Sequence, residues 1–363
     1  MKYRAEQVGS LLRPAALLSA RSAKLPPEEL HAVEDQAIAA ALAKQRSIGM
    51  DVLTDGEFRR GSWLTDMADA VDGFARQRVI LDWKGPGGGP EGSTALAVGA
   101  KLHKARKLTA HEVPFLKREA GGTLKSPFKI TVPAPSNFLV SSYKAGLTDA
   151  FYPTPQELLD DLVEILRDEV AWLVSQGVPY IQFDAPYYSH FVDPARREMV
   201  RRAGGDPDRD FEMAVAGDNK VFADIPRERI TLGLHICRGN SRSRWFTEGG
   251  YDAIAEKLFG SVGVDRFLLE YDDQRSGGFE PLRLVPRGKT VVLGLITTKD
   301  PRMEADDALR RRIDEAAKYV PLENLAISPQ CGFASVAAGN LLTEDQQWRK
   351  LELVVKTARA VWG

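Results

Sequence analysis

Cysteine and histidine are scarce in this sequence. Among 363 residues there are two cysteines, Cys237 and Cys331, and five histidines. Two thiols cannot build a disulfide framework, and a reducing compartment disfavours even a single bridge. So few histidines argue against a zinc hydrolase, whose sites are rich in His and Asp and keep a position open for water. No apolar run is long enough to span a bilayer, and the opening MKYRAEQVGSLLRP has no secretory apolar core. Cytoplasmic residence is therefore the expectation. An excess of one charge sign is also missing: the formal net charge is −1, which gives no reason to expect a nucleic-acid or membrane partner. No GxGxxG follows the first strand (the string at 87–92 lies inside a Gly/Pro-rich stretch), and GxxxxGK followed by Ser or Thr does not occur, which counts against an open doubly wound sheet with a phosphate-binding turn.

What is present is an alternation of helical and strand-like segments. Apolar residues at helical spacing run from about Pro27 to Ile48 and lead into MDVLTDGE, a short apolar strand ending in acids. PQELLDDLVEILRDEVAWLVSQGV reads as an amphipathic helix stopped at Gly177, and it feeds the strand VPYIQFDAP. RITLGLHIC, RFLLEYDD, TVVLGLITTKD and NLAISPQCG follow as strands. YDAIAEKLFGSVG, FEPLRLVP and EADDALRRRIDEAAKYV lie between them as helical segments, and TEDQQWRKLELVVKTARAVW closes the chain. Two more strands, around EQVGS and at Lys129–Ser136, bring the set to about eight βα units. The fold expected is α/β: one (β/α)₈ TIM-barrel domain over residues 1–363.

The stretch from about 65 to 128 breaks the alternation and reads as an insertion after the second strand. WKGPGGGPEGST is expected as a flexible loop. The Lys-rich KLHKARKLTAHEVPFLKRE is expected as a solvated face, with a hairpin and helix covering the barrel mouth.

Barrel strands deliver their last residues to one face, where sites of this fold lie. The fifth strand ends in His235 and Cys237, the sixth in Glu270 and the eighth in Cys331. Residues i and i+2 of a strand point the same way, so His235 and Cys237 can face one centre. HxC by itself describes a core pair equally well. The combination of HxC, an acid and the only other cysteine, all at strand ends, points to a zinc site of four ligands. Such an anionic, thiolate-rich site is a weak Lewis acid. It suits activation of a coordinated sulfur better than activation of water.

These residues, together with VGSLLRP (Val8–Pro14), DVLTDGEFRR (Asp51–Arg60) and YIQFDAP, resemble the catalytic zinc barrel of the cobalamin-independent methionine synthase family over nearly the whole chain. The resemblance implies Zn²⁺ held by His235, Cys237, Glu270 and Cys331, and homocysteine as the methyl acceptor. It implies that Ser10, Glu57 and Asp184 hold the amino-acid end of that substrate. The alternatives for Glu57 and Asp184 are a helix N-terminal acid and a turn cap. Two departures stand out. The family's long members carry a second, N-terminal barrel, and this chain has one. The family also places a proton-donating histidine after the seventh strand, where this chain reads LGLITTKDPRME. Lys299 is the nearest replacement there, and His190, at the end of the fourth strand, is a second candidate for proton transfer. A methylated corrinoid needs no leaving-group proton and so fits better than methyl-tetrahydrofolate. The second reading is transfer of another alkyl group, such as an epoxide carbon, to a small thiol. A non-catalytic module with a structural zinc is the remaining alternative.

Overall fold

The computed structural model describes residues 3–363. Its centre is a six-stranded parallel sheet in the order β3-β4-β5-β6-β7-β8. The strands are β3 (Lys129–Pro133), β4 (Tyr180–Asp184), β5 (Thr231–Ile236), β6 (Arg266–Glu270), β7 (Thr290–Ile296) and β8 (Leu325–Pro329). β3, β4, β6 and β8 are buried at every position, as expected of parallel strands covered on both faces.

The segments expected as the first two strands are reduced to single bridges. Ala5 pairs with Ile327 of β8, and Leu53 pairs with Phe128 just before β3. The Asp51 N–H donates to the Ala5 carbonyl at 3.0 Å, so backbone hydrogen bonds connect the two edges of the sheet through these short segments.

Local chemistry explains the helices between the strands. The helix Pro155–Ser175 starts with Thr154 accepting from the Glu157 N–H and with Pro155 in its first turn, and it stops before Gly177 at φ 70°. The helix Pro27–Ile48 ends on Gly49 in the left-handed conformation. Thr343 and Gln346 form a reciprocal capping box at the start of Glu344–Trp362. FEPLRLVP, expected as helical, holds only the 3₁₀ turn Glu280–Leu284. Among the described residues no helix is long and apolar enough to cross a membrane.

Outside the parallel sheet, β1 (Val71–Trp83) and β2 (Gly89–Lys104) form a long antiparallel hairpin. The Gly/Pro-rich stretch expected as a flexible loop is instead the hairpin's tip and the start of β2. Gly85 at φ 91° and Gly87 at φ 66° make the reversal, and residues 89–94 pair with residues 78–83. The Lys-rich run is not simply a solvated face either. Lys104 and Lys107 bond Asp168 at 2.7 and 2.6 Å, Lys104 also reaches Glu169, and Val113, Phe115 and Leu116 are buried.

Candidate metal centre and substrate cavity

In parallel strands all carboxyl ends lie on one side of the sheet. Register places Asp184 of β4 beside His235 of β5, and His235 beside Leu268 of β6. Cys237 follows β5 directly and Cys331 lies two residues beyond β8. The ligating atoms of His235, Cys237 and Cys331 all lie within 4.8 Å of one another, and all three side chains are buried. Ligands of one tetrahedral zinc ion, at bonds of about 2.0–2.3 Å, sit roughly 3.5–4 Å apart. A mutual spacing under 4.8 Å is compatible with such a centre.

The histidine supports that fit independently. Its Nδ1 lies 3.3 Å from the Leu268 carbonyl, while its buried Nε2 has no hydrogen-bond partner among the described residues. A ring that donates from one nitrogen to a carbonyl leaves the other as a lone-pair donor, the usual arrangement of a ligating histidine. Contact with Cys331 lowers the Cys237 thiol below its ordinary range, with burial opposing, while contact with Cys237 and burial push Cys331 well up. Burial depresses His235, but the neighbouring Cys331 sulfur, with Asp184 and Glu270 adding to it, outweighs burial and raises it.

Glu270, expected as the fourth ligand, is not part of this trio. Its fully buried carboxylate accepts the Arg238 N–H at 2.9 Å on one oxygen and the Arg275 Nε at 2.9 Å on the other. A buried carboxylate is costly unless paired, and here Arg275 supplies the pair. Burial raises its pKa, but Lys299, Arg275 and Arg238 more than reverse this and hold it below the ordinary range.

The trio opens into a cavity of about 530 Å³ that Ser10, Glu57, Asp184 and His190 also line. Glu57 sits at φ 57° in the turn after Leu53, a conformation a non-glycine residue adopts only where its surroundings enforce it. Thr131 donates to Glu57 Oε1 at 3.1 Å, and Oε2 is buried without a hydrogen-bond partner among the described residues. Burial, with Asp184 and Asp55 adding to it, pushes the Glu57 carboxyl up to about 7, against the opposing charges of Arg60 and Arg13. Asp184 is raised too, by burial, and accepts from Gln182 Nε2 at 2.8 Å.

The two candidates for proton transfer differ in placement. His190 faces the cavity within a line of touching rings: Trp63, Tyr187, His190, Phe246 and Trp83 follow one another at centroid separations of 5.0–6.3 Å. Burial and Arg196 push His190 down to about 3, so it is neutral at physiological pH. Lys299 does not line the cavity. Its Nζ donates to the Gly239 carbonyl and to Asn240 Oδ1, both at 3.0 Å.

Several residues at the site were not singled out from sequence. The hairpin supplies Leu81, Trp83 and Glu91 to the cavity wall. Arg60, wholly buried, bonds Glu112, Asp66 and Thr131 behind Glu57. His111, expected at the surface, is half-buried and lies 3.2 Å from Asp66.

Residues 11–82 and 146–359 match the family described as the catalytic domain of cobalamin-independent synthase. The chain belongs to this family. It is 39% identical to the uncharacterised protein YxjH of Bacillus subtilis, covering 99% of this chain and 95% of that one. It is 25% identical to the methionine synthase of Pyrococcus abyssi over 98% of this chain and 91% of the relative. A crystal structure of the putative vitamin-B12-independent methionine synthase of Listeria monocytogenes superposes with a TM-score of 0.74 at 26% identity, covering 99% of this chain and 98% of that one. This member of the cobalamin-independent synthase family thus has its trio, its acidic pair and its cavity at the carboxyl-end face of the parallel sheet in a mixed α/β fold.

Proposed function

We propose that this protein is a zinc-dependent methyltransferase that methylates the thiol of homocysteine to give methionine. The carrying observation is one cavity holding both the His235–Cys237–Cys331 trio and, at Glu57, a buried carboxylate oxygen with no hydrogen-bond partner among the described residues. The trio suits a sulfur-seeking ion, and the acid suits an ammonium. The edge-to-edge backbone bonds support the matching architecture, a single closed (β/α)₈ domain with residues 65–128 as an insertion.

Zinc held by His235, Cys237 and Cys331, with Glu270 as the fourth ligand, would keep the substrate sulfur deprotonated and nucleophilic. The remaining work falls to the chain. Glu57 and Asp184 pair with the substrate ammonium and fix the length between that end and the sulfur. Ser10, with the backbone beside it, receives the carboxylate end. Orientation of this kind brings the thiol and the methyl carbon into line for displacement. Neutral His190 and tethered Lys299 are poorly suited to protonate a leaving group. That favours a donor such as a methylated corrinoid, which leaves without a proton, over methyl-tetrahydrofolate.

The test is metal analysis joined to a homocysteine titration. The expected results are one zinc per chain and release of a proton as the thiol coordinates. A protein without zinc, or homocysteine binding with no proton released, would refute the proposal. Turnover with a short thiol and an epoxide, but none with homocysteine and either methyl donor, would move the assignment to the other thiol alkyl transfer.

A further inference from the structure

Arg275 does more than neutralise Glu270. Its Nε holds one Glu270 oxygen at 2.9 Å, and its terminal nitrogens reach Asp272 at 2.6 Å and Asp273 at 3.2 Å. The guanidinium lies over the Trp245 ring, 5.0 Å from its centroid. Trp245 in turn is fastened to the hairpin tip. It exchanges two backbone hydrogen bonds with Lys84, at 2.8 and 3.1 Å, and its indole N–H donates to Glu248 at 2.7 Å. Gly85 rests on the same ring so closely that a Cβ there would come within 2.2 Å of a ring carbon.

We propose that Arg275 is a positioning residue for the Glu270 carboxylate, and that the docked hairpin tip sets Arg275 through Trp245. The proposal rests on the zinc reading above, with Glu270 as a ligand. Its physical basis is rotamer loss. A guanidinium stacked on an indole and forked between carboxylates has little freedom, so the carboxylate it holds keeps one orientation. A partner that orients a metal ligand typically changes metal affinity by about 10–100-fold when removed. The tip also carries Trp83 and Glu91 into the cavity wall. Closure of that wall and the grip on the metal are therefore linked, and linkage of binding energies is reciprocal.

The experiment measures zinc affinity by chelator competition in full-length wild type, Arg275→Met, Trp245→Leu, Gly85→Val and the Arg275→Met/Gly85→Val double variant. Limited proteolysis at the hairpin tip reports docking, and circular dichroism reports folding. Neither Gly85 nor Trp245 lines the cavity. The expected results are zinc binding about 10-fold weaker or more in Arg275→Met, a loss of the same sign in Trp245→Leu and Gly85→Val, and a double variant no weaker than Arg275→Met alone. Zinc should also slow cleavage of the wild-type tip. The inference falls if Gly85→Val frees the tip while zinc affinity stays within about twofold of wild type, or if the double loss equals the product of the single losses. Should Arg275→Met fail to fold, the Trp245 and Gly85 variants decide the matter. A wild type that binds no zinc overturns the metal reading itself, a result distinct from both.

Discussion

Gln182 donates its side-chain amide to the Asp184 carboxylate at 2.8 Å, and its opposite end is fixed by Lys129. The buried Lys129 ammonium donates to Gln182 Oε1 at 2.7 Å and to Glu6 at 3.2 Å, and Glu6 is also held by Arg266 at 2.6 Å. Since Oε1 must accept from Lys129, Nε2 must turn toward Asp184 and the Val8 carbonyl. A buried polar chain thus runs from Arg266 to the cavity and decides how Asp184 is presented.

Lys129→Met breaks that chain at its one ammonium. Arg266 still covers Glu6, but Gln182 loses the donor that orients it. The expected loss of stability is about 3 kcal/mol, in line with removing one partner of a buried pair, and urea unfolding measures it. Homocysteine affinity should fall while zinc content stays unchanged, because the hydrogen bonds of Lys129 and Gln182 go to Glu6, Gln7, Val8 and Asp184 and not to the side chains of His235, Cys237 or Cys331. Loss of zinc in the folded variant would show that the chain supports the metal centre as well.

Glu57→Gln bears on pH. The folded-state pKa of about 7 lies above the ordinary value of 4.5. The folded protein therefore holds this proton more tightly than the unfolded chain does. Stability from this group is fully present below about 4.5 and is lost as pH rises through about 7. Gln cannot ionise and removes that loss. At pH 8 the substrate-free variant should be more stable than wild type, on the order of 3 kcal/mol, and the two should converge near pH 4.5. Homocysteine binding by wild type should strengthen as pH rises through 7, because the ammonium needs the ionised acid, and the variant should bind weakly at every pH. Thermal melts and calorimetric titrations check both halves.

The strands of the parallel sheet were legible because burial on both faces leaves continuous apolar runs such as TVVLGLI, and their ends marked where the cysteines converge. The first two strands were harder to read correctly. Ala5 and Leu53 each make a single bridge, and apolar patterning does not report how many ladder bonds form. Glu270 shows a different limit: its spacing says that it reaches the carboxyl end of β6, but not that Arg275, five residues on, would bond it. WKGPGGGPEGST read as flexible because glycine permits both a loose loop and a tight reversal. Pairing with β1 across the tip selects the second, and strand pairing is a long-range property.

His190→Phe separates a packing residue from an acid. The ring touches Tyr187 and Phe246 and is neutral at physiological pH. Phenylalanine should preserve those contacts. Turnover is expected within about threefold of wild type with an unchanged pH profile, whereas loss of a general acid costs about 10²–10⁴-fold. A drop of that size, with the acidic limb of the profile gone, would return His190 to the chemistry.

Cys237→Ser and Cys331→Ser test the centre from opposite strands. A serine hydroxyl does not ionise near neutral pH and is a poor match for a borderline-soft ion, so either change should weaken zinc binding by more than about 100-fold, beyond what loss of an orienting partner costs. The fold should survive both. Besides their contact with each other, Cys237 accepts a long 3.4 Å contact from the Gly239 N–H and Cys331 lies 3.7 Å from the Ser335 hydroxyl, and hydrogen bonds of sulfur are weak. Zinc-free wild type and both variants should therefore melt within a few degrees of one another, while zinc raises the melting point of wild type alone. If zinc stabilised one serine variant as strongly as wild type, that cysteine would not be a ligand, and sulfur activation at a shared metal would have to be abandoned.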